Sequence, residues 1–358
     1  MNIKNKFQNK FWSGKKVLIT GHNGFKGSWL SLLLLTLGAD IFGISLENDD
    51  PISLFNRLHL SNLIIEKHID IRNSNEIKKN INKFSPDIIF HLAAQPLVNE
   101  GYVKPIETWT TNVMGTISIL EGVRELNKKI ILIAITTDKV YQNNDWVYGY
   151  RENDRLGGDD PYSSSKSAAE LAINCWEKSF YKNSRIIVSS ARAGNVIGGG
   201  DYADNRIVPD IFRSLEKNKI LKLRNPESTR PWQHVLEPLW GYIKLAEKMN
   251  INPEMADCYN FGPNSSSNRS VLELVNEFKK IIKFDFVVDH NSNFFKESKY
   301  LHLISEKAER KLNWNQVWNF EETIRRTAFW YNEIHENSAS ELSLCMKDIS
   351  DFIKLQVK

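Results

Sequence analysis

The sequence contains little cysteine, no long hydrophobic run and no large excess of charge of either sign. Its 358 residues include three cysteines, Cys175, Cys258 and Cys345. They form no Cys-x-x-Cys motif and no even-numbered set for a disulfide framework. This usage is typical of proteins from reducing compartments, so we expect a cytoplasmic location.

The missing features also exclude several classes of partner. The net charge of +4 is small, and no dense run of Lys or Arg appears, so no nucleic-acid partner is predicted. The most apolar run, residues 29–38, has about half the length needed to cross a bilayer and predicts a buried helix. The polar N-terminus does not resemble a secretory signal. We expect no membrane partner and no metal site.

The remaining composition is that of a globular protein, with 41% hydrophobic and 25% charged residues. Apolar strand candidates alternate with helical patterns in the first half, which predicts an α/β fold with a doubly wound, parallel Rossmann-type sheet buried on both faces. The predicted strands cover 15–20, 40–45, 63–69, 86–92, 129–136 and 185–191. The predicted helices between them end near 37 or cover 74–84, 105–127 and 161–181.

The rhythm changes after Gly198, where helical patterns dominate at about 206–217, 234–249, 269–282 and 320–335. This change predicts a smaller, mixed C-terminal substrate-binding domain over the carboxyl edge of the sheet. We expect a dinucleotide-binding domain with the catalytic residues over 12–192, an interleaved substrate-binding domain over 193–340, and a helical tail over 341–358.

A glycine-rich turn, TGHNGFKG, follows the first strand and opens an apolar helix. Gly21 suits a tight turn, Gly24 lets the backbone approach a pyrophosphate, and Gly27 permits close helix–strand packing. His22 and Lys26 either reach a phosphate or are exposed to solvent. The predicted cofactor contacts in this turn are Gly21, Asn23, Gly24, Phe25, Lys26 and Gly27.

The ends of the next strands indicate which dinucleotide is bound. No arginine follows the second strand to receive a 2′-phosphate, which favours NAD over NADP, although the nearest acid for the ribose is Glu47. Asp70 and Ile71 could meet the adenine, and Asp70 could instead cap the following helix. Ala93 and Ala94 leave room for the cofactor to lie across the backbone.

Tyr162 and Lys166 lie four residues apart and therefore share one face of a helix. A free tyrosine has a pKa of about 10 and is a poor base. A lysine cation and an oxidised nicotinamide would lower that pKa, which lets Tyr162 accept a proton from a sugar hydroxyl. Thr137, at the carboxyl end of the preceding strand, could share the same hydrogen bond.

Several long stretches carry a resemblance to a known family. The chain resembles the extended short-chain dehydrogenases/reductases that act on nucleotide sugars, and within them the CDP-glucose 4,6-dehydratase family. The similarity extends over about residues 12–335. The matching stretches include TGHNGFKGSWLSL (20–32), TNVMGT (111–116), TTDKVY (136–141), GYRENDRLGGDDPYSSSK (149–166) and RPWQHVLEPLWGY (230–242).

The resemblance implies an NAD-dependent, redox-neutral loss of water from a nucleotide-activated glucose. It implies that Asp138 is the acid for the departing carbon-6 hydroxyl. Lys139 would be the base at carbon 5, where related dTDP-glucose dehydratases carry a glutamate. A lysine base must be neutral, and nearby positive charge and burial favour that form. The alternative for Asp138 and Lys139 is a helix cap beside a surface lysine.

By the same resemblance, Asn195 and Arg230 are expected to bind the nucleotide diphosphate. Arg206 and Arg224 are weaker candidates for this role. His234 and Trp232 either line the site or pack in the core. The predicted substrate contacts are Gln95, Asn195, Arg206, Arg230 and His234.

The sequence departs from the family pattern at a few positions. Asn99 stands where the family has an arginine, which could alter substrate choice. Val140, Ser167 and Ala168 also differ, and there we expect changes in packing only.

Two other functions stay open from the residues. The first is another nucleotide-sugar enzyme on this fold, a 4-epimerase or decarboxylase. The second is a dinucleotide-binding regulator without activity. The resemblance also implies a homodimer or dimer of dimers, and a product that feeds the deoxysugars of lipopolysaccharide O-antigen.

Overall fold

The structure is a computed structural model that describes residues 3–289 and 300–356. The strands are β1 (Lys16–Thr20), β2 (Asp40–Ser45), β3 (Ile65–His68), β4 (Ile88–His91), β5 (Ile130–Ile135), β6 (Ile186–Ala193), β7 (Val196–Ile197), β8 (Leu221–Leu223), β9 (Thr229–Pro231), β10 (Gln233–His234), β11 (Cys258–Phe261), β12 (Asn268–Ser270) and β13 (Phe286–Val288). The helices are α1 (Phe25–Leu37), α2 (Leu54–Arg57), α3 (Ser74–Phe84), α4 (Val98–Val103), α5 (Pro105–Trp109), α6 (Gly115–Arg124), α7 (Pro161–Trp176), α8 (Ile207–Glu216), α9 (Leu236–Ile251), α10 (Val271–Lys279), α11 (Glu306–Leu312), α12 (Phe320–Asn337) and α13 (Glu341–Gln356).

A seven-stranded parallel sheet forms the centre of the described chain, in the order β11-β6-β5-β4-β1-β2-β3. Apolar side chains of α3, α6 and α7 pack on one face, and those of α1 and α9 pack on the other. The predicted doubly wound Rossmann-type sheet is therefore confirmed. The strand order reverses between β1 and β4, and ligands of such sheets bind at the carboxyl edge beside that reversal.

Burial on both faces holds for the inner strands but is wrong for β3. All residues of β5 (IILIAI) are buried, because helices cover both sides of the sheet there. Ile65 of β3 is 65% exposed. β3 pairs only with β2, and polar side chains are common on such edge strands. The strand is also shorter than the predicted 63–69.

Two long helices predicted from the sequence are interrupted. The segment predicted as 105–127 divides into α5, a π-helical turn over Thr110–Met114, and α6. The segment predicted as 161–181 ends as α7 at Trp176 and continues in a π-helical turn over Glu177–Tyr181. Such turns are rare and are frequently found near functional sites.

The second half of the chain returns to the sheet. β11 pairs with β6 in parallel, so residues beyond 193 supply the strand at one end of the sheet. The short pairs β7–β10 and β9–β12 lie in the segment between the end of β6 and α10. The tail forms α13, and residues 357–358 of the predicted tail lie outside the described residues.

The N-terminal residues also join the fold ahead of the predicted boundary at residue 12. The Asn5 amide donates to the Leu35 carbonyl of α1, and Ile3 is buried. Trp12 is fully buried and donates from Nε1 to Glu247 Oε1 of α9 at 2.8 Å.

Across the described ranges, no helix combines the length and the apolar character that crossing a membrane requires.

Candidate active site

The turn after β1 is built so closely that it excludes side chains at two of its glycines. Gly21 has a φ of +71°, and a Cβ there would lie 2.8 Å from the Ala93 amide nitrogen. A Cβ on Gly27 would lie 2.1 Å from the Gly21 carbonyl oxygen. Gly24 is the extended residue before α1, so the first amides of that helix lie beside the turn. This cradle fits a pyrophosphate, which helix N-termini attract.

His22 of this turn is a core residue, in contrast to both predicted alternatives. Its side chain is fully buried against Gly43 of β2 and the Phe55 ring, and its Nε2 lies 2.8 Å from Glu66 Oε2. Burial lowers the pKa of His22, which favours the neutral ring. A neutral, enclosed imidazole neither contacts a phosphate nor reaches solvent.

Lys26 lies in the first turn of α1 and turns toward the reaction centre. Burial of its ammonium group lowers its pKa to about 8, Arg206 acts in the same direction, and Asp138 opposes the shift. Lys26 in turn contributes to lowering the pKa of Lys166. The charge of Lys26 therefore acts both at the glycine turn and on the side chains described next.

The structure brings the end of β5 and the start of α7 together. The Thr137 hydroxyl donates to Asp138 Oδ1 at 2.9 Å, accepts from the Lys139 amide at 3.3 Å, and is hydrogen-bonded to Tyr162. The half-buried Lys139 acts electrostatically on Asp138. Thr137, Asp138, Lys139 and Tyr162 therefore form one cluster.

Tyr162 and Lys166 lie on the first turns of α7, which begins after the cap Asp160 and has Pro161 at its first position. Burial raises the pKa of Tyr162 to about 12, against the hydrogen bond between Tyr162 and Thr137. In the chain without a bound cofactor, burial thus raises the pKa of Tyr162, whereas the sequence analysis expected nearby positive charge to lower it. Lys166 Nζ donates to the Ile135 carbonyl at 3.2 Å, and burial lowers its pKa to about 8.

Asp138 is enclosed, and one of its carboxyl oxygens is unused. Burial raises its pKa, and the charges of Lys139, Arg230 and Lys26 and the Thr137 hydroxyl act against this. Its Oδ2 is buried without a hydrogen-bond partner among the residues that the structure describes. A carboxyl in this setting takes up and holds a proton more readily than one in water.

Two arginines approach this cluster from the C-terminal half. Arg206 pairs with Asp201 at 2.9 Å and acts electrostatically on Tyr162 and Lys26. Arg230 is 5% exposed and acts on Asp138. Asn195 is exposed between β6 and β7. Arg224 pairs with Asp210 and Asn205.

His234 lies in the core and not at the site, which corrects its prediction as a substrate contact. It is fully buried between the rings of Trp29 and Trp318, at centroid distances of 5.8 and 4.7 Å. Burial lowers its pKa to about 3. Trp232 is likewise packed, and its Nε1 donates to the Arg269 carbonyl at 2.9 Å.

Gln95 uses both polar atoms of its side chain inside its own loop. Its Nε2 donates to Thr108 Oγ1 at 2.7 Å, and its Oε1 accepts from the Leu97 amide at 2.6 Å. Its backbone is held by Asn112, in the first π-helical turn, which also donates to Ser165 Oγ of α7. Gln95 therefore shapes the loop after β4.

The predicted adenine side is partly engaged in internal contacts. Asp70 pairs with Arg72 at 2.5 Å, and this pairing lowers the pKa of Asp70. Ile71 is buried against Gly115 of α6, so its side chain serves packing.

Ala93 closes over Gly21, and Ala94 is half-buried in the same loop. Asn23 and Phe25 lie between the glycines of the turn, and Asn23 donates to the Leu46 carbonyl.

The sequence analysis did not identify Glu170 and Arg192, which form a buried ion pair directly behind this cluster. Glu170 lies four residues after Lys166, so the spacing that identified Tyr162 and Lys166 could have found it.

Among the described residues, no group of three or more His, Cys, Asp or Glu side chains is placed to hold a metal ion.

The chain is similar to known nucleotide-sugar dehydratases over most of its length. The profile of the family described as GDP-mannose 4,6 dehydratase matches residues 18–327. A CDP-glucose 4,6-dehydratase of Salmonella typhimurium is 43% identical over 353 residues, which are 96% of this chain and 97% of that protein. A dTDP-D-glucose 4,6-dehydratase of Bos taurus is 28% identical over 338 residues, 90% of each chain.

Two solved structures illustrate the similarity of fold. The dTDP-glucose 4,6-dehydratase of Bacillus anthracis in complex with NAD has a TM-score of 0.71 and 22% identity, covering 92% of this chain and 100% of that chain. A UDP-glucose-4-epimerase of Stenotrophomonas maltophila with bound NAD has a TM-score of 0.77 and 17% identity, covering 91% and 100%.

Proposed function

The chain belongs to the GDP-mannose 4,6-dehydratase family, and from this premise we propose that it is a hydro-lyase that converts CDP-glucose to CDP-4-keto-6-deoxyglucose and water. The observation that carries the proposal is the contact between the 137–139 segment and Tyr162, on the helix that also carries Lys166. An acid and a base beside a tyrosine–lysine pair are what an elimination coupled to oxidation needs. The 43% identity to a CDP-glucose 4,6-dehydratase supports the choice of substrate.

NAD is the cofactor of this proposal, held by the turn from Gly21 to Gly27. The close packing at Gly21 and Gly27 supports it, because it holds the turn and the start of α1 beside the exposed Gly24, where the backbone can approach a pyrophosphate. When bound, NAD would supply the hydride chemistry by which carbon 4 of the sugar is oxidised and carbon 6 is reduced. Asn23, Phe25, Lys26, Ala93, Ala94 and the Asp70–Ile71 segment complete the proposed cofactor contacts.

Tyr162 takes the proton from the carbon-4 hydroxyl of the hexose. Its pKa of about 12 in the chain alone must fall for this step, and positive charge from Lys166 and from the oxidised cofactor acts in that direction. Thr137 donates or accepts in the same hydrogen bond and thus orients the phenol. Lys166 is anchored for this task by the Ile135 carbonyl.

Asp138 and Lys139 carry out the elimination. The ketone at carbon 4 acidifies the hydrogen on carbon 5, and Lys139 accepts that proton. Asp138 gives its proton to the carbon-6 hydroxyl, which leaves as water. The raised pKa of Asp138 supports this role, because a buried carboxyl retains a proton to donate.

Arg206, Arg230 and Asn195 hold the diphosphate of the nucleotide sugar in this proposal. A guanidinium matches two phosphate oxygens at once. Arg206 and Arg230 both act on residues of the cluster, so a diphosphate between them would lie next to the hexose site. Gln95 supports the sugar side through the loop that it stabilises.

The assembly and setting are part of the same proposal. Exposed apolar side chains on the α4–α7 side support a homodimer, or a dimer of such dimers, through this face; they are Val103, Ile106, Trp109, Met114 and Leu171. The free cysteines support a reducing cytoplasm. The product would feed deoxysugars of surface polysaccharides such as lipopolysaccharide O-antigen.

Incubation of the purified protein and NAD with CDP-, dTDP-, UDP- and GDP-glucose, each in turn, tests the proposal. We expect a 4-keto product from CDP-glucose with the highest kcat/KM and no net accumulation of reduced cofactor. Failure to transform any of the four sugars would overturn the function. A clear preference for another base would overturn the choice of CDP.

A further inference from the structure

A buried ion pair lies behind the catalytic cluster and connects more elements of the fold than any single contact within the cluster does. Glu170 on α7 and Arg192 on β6 are each 4% exposed at the side chain, and two parallel contacts join them. Oε1 accepts from Arg192 Nε at 2.9 Å, and Oε2 accepts from Nη2 at 3.0 Å. This bidentate geometry fixes both side chains in orientation.

Glu170 also reaches the end of β5. Thr136 Oγ1 donates to Glu170 Oε1 at 2.6 Å, and Ser190 Oγ donates to Oε2 at 2.7 Å. Thr136 directly precedes the 137–139 segment. The carboxylate therefore joins the strand from which that segment extends to the helix that carries Tyr162 and Lys166.

Arg192 continues the connection toward the C-terminal half. Its Nη1 donates to Tyr141 Oη at 2.8 Å and to the Glu152 carbonyl at 3.0 Å. Tyr141 Oη donates in turn to Asn260 Oδ1 of β11 at 2.7 Å. The residues on both sides of the 137–139 segment, Thr136 and Tyr141, are thus held by one ion pair.

Stability alone is a weak reason for such a pair. Desolvating two charges costs about as much as their attraction returns, and apolar side chains of similar size are often at least as stabilising. The contacts instead converge on one task, the spacing between β5 and α7.

We propose that Glu170, held by Arg192, is a positioning residue that fixes the 137–139 segment against Tyr162 and Lys166. The inference rests on the proposed function and deepens it. Glu170 touches neither substrate nor cofactor in this account, and acts through Thr136 and through its charge on Lys166. Arg192 keeps the carboxylate ionised and oriented.

The charge of Glu170 gives the proposal a pH signature. Lys166 faces Lys26 from α1, His91 from β4, the Ile135 carbonyl from β5 and Glu170 from its own helix. Burial and Lys26 lower the pKa of Lys166 to about 8, and Glu170 opposes them. Removal of the Glu170 charge should therefore lower that pKa further.

The test compares wild type with Glu170→Gln and Glu170→Asp. We expect Glu170→Gln to reduce kcat about 100-fold while KM for CDP-glucose and NAD affinity change little, since misplacement of reacting groups has this cost. The alkaline limb of the pH–rate profile should move to lower pH. Glu170→Asp keeps the charge but is too short for Thr136, so the limb should return while kcat stays low.

A matched control is the Asp87–Lys128 pair, which joins β4 to the start of β5 at the amino edge of the sheet. Asp87→Asn should affect stability and leave the pH profile unchanged. If Glu170→Gln does not fold, the double variant Glu170→Met, Arg192→Met removes both charges without leaving one unpaired, and the same loss of kcat is expected from it. Wild-type kcat in either Glu170 variant, or an equal shift in Asp87→Asn, would overturn the inference.

A second readout does not depend on turnover. The rate at which acetic anhydride modifies Lys166 in the unliganded protein, followed by mass spectrometry across pH, reports its titration. Glu170→Gln should shift this titration to lower pH. An unchanged titration would contradict the positioning role even if wild type proves inactive on CDP-glucose, and inactivity of wild type with a shifted titration would reject only the proposed function.

Discussion

Asp138 shows at the scale of a single residue how the fold sets chemistry. Its carboxyl is buried at the end of β5, where water cannot stabilise a charge, and its pKa rises as a result. Lys139, the next residue, is only half-buried. Burial thus lets Asp138 keep the proton that the proposed elimination requires, directly beside Lys139.

Replacement of Lys139 by alanine should separate the two halves of the reaction. Without a base at carbon 5, we expect dehydration to fall about 10²- to 10⁴-fold, the usual effect of losing a general base. Oxidation at carbon 4 should persist, seen as reduced cofactor on rapid mixing with CDP-glucose. Lys139→Arg, which keeps a long side chain but supplies no usable base, should behave alike. A 4-epimerase would tolerate both changes, so wild-type turnover by Lys139→Ala would contradict the account.

The residues of this cluster could be predicted because their patterns are local, with spacing indicating Tyr162 and Lys166 and the family resemblance indicating Asp138 and Lys139. Tyr162 and Lys166 lie four apart on one helix, and Thr137, Asp138 and Lys139 are consecutive. His22 and His234 were different, because only tertiary packing reveals that Gly43 makes room for one ring and that two tryptophans enclose the other. Glu170 continues the same four-residue spacing after Lys166, but its partner Arg192 is distant in sequence, so the ion pair itself left no local signal.

At the scale of elements, the turn between β1 and α1 depends on close backbone approach. Gly21 and Gly14 share a φ of +71°, which gives a matched pair of positions. A Cβ on Gly21 would also lie 2.8 Å from Ala93 N, whereas nothing lies within 4 Å of one on Gly14.

Gly21→Ala should therefore weaken NAD binding by about tenfold or more, a change of at least about 1.4 kcal/mol, whereas Gly14→Ala should cost only backbone strain. Equilibrium titration with NAD and thermal unfolding of both variants distinguish these effects. Equal NAD affinity in the two variants would show that the turn does not hold the cofactor as described.

Glu237 in the first turn of α9 makes the fold sensitive to alkaline pH. It accepts from the amides of Val317 and Trp318, and burial raises its pKa from 4.5 to about 8. The folded chain therefore binds this proton more tightly than the unfolded chain. The contribution to the free energy of unfolding is complete below about pH 4.5 and is lost as pH rises through about 8.

We accordingly expect the melting temperature to fall as pH rises through about 8, and Glu237→Gln to flatten this dependence. Thermal unfolding of wild type and variant at a series of pH values is the measurement. A wild-type melting temperature that is constant over this range would contradict the assignment.

Strands were predictable where the residues are apolar throughout, as in β5, whose residues are all buried. The edge position of β3 was not, because hydrophobicity does not reveal which strand lacks a second neighbour. The π-helical turns around Asn112 and after Trp176 were also missed, since one extra residue in a turn leaves helical periodicity almost unchanged.

At the scale of the whole molecule, the two halves of the chain share one sheet. The return of β11 to β6 could not be read from the sequence, because pairing of distant strands leaves no local signal. Arg206 and Arg230 of the second half act electrostatically on Tyr162 and Asp138, so this half contributes charges near the end of β5 as well as a strand of the sheet.

The apolar face on α4–α7 leads to a prediction about assembly. Ile106 is 80% exposed and Leu171 is 59% exposed, and a dimer would cover both. Ile106→Glu and Leu171→Glu should each yield monomers in light scattering or sedimentation. Ile251, 78% exposed at the end of α9, provides the matched control, and Ile251→Glu should leave the dimer intact. A monomeric wild type would refute this interface.

The central claim is that one site oxidises carbon 4, removes water across carbons 5 and 6, and returns the same hydrogen to carbon 6. CDP-glucose that carries deuterium at carbon 4 tests this directly, with the product analysed by NMR. The account predicts deuterium at carbon 6 of a 4-keto-6-deoxy product. Deuterium retained at carbon 4, or a product formed without any at carbon 6, would contradict it.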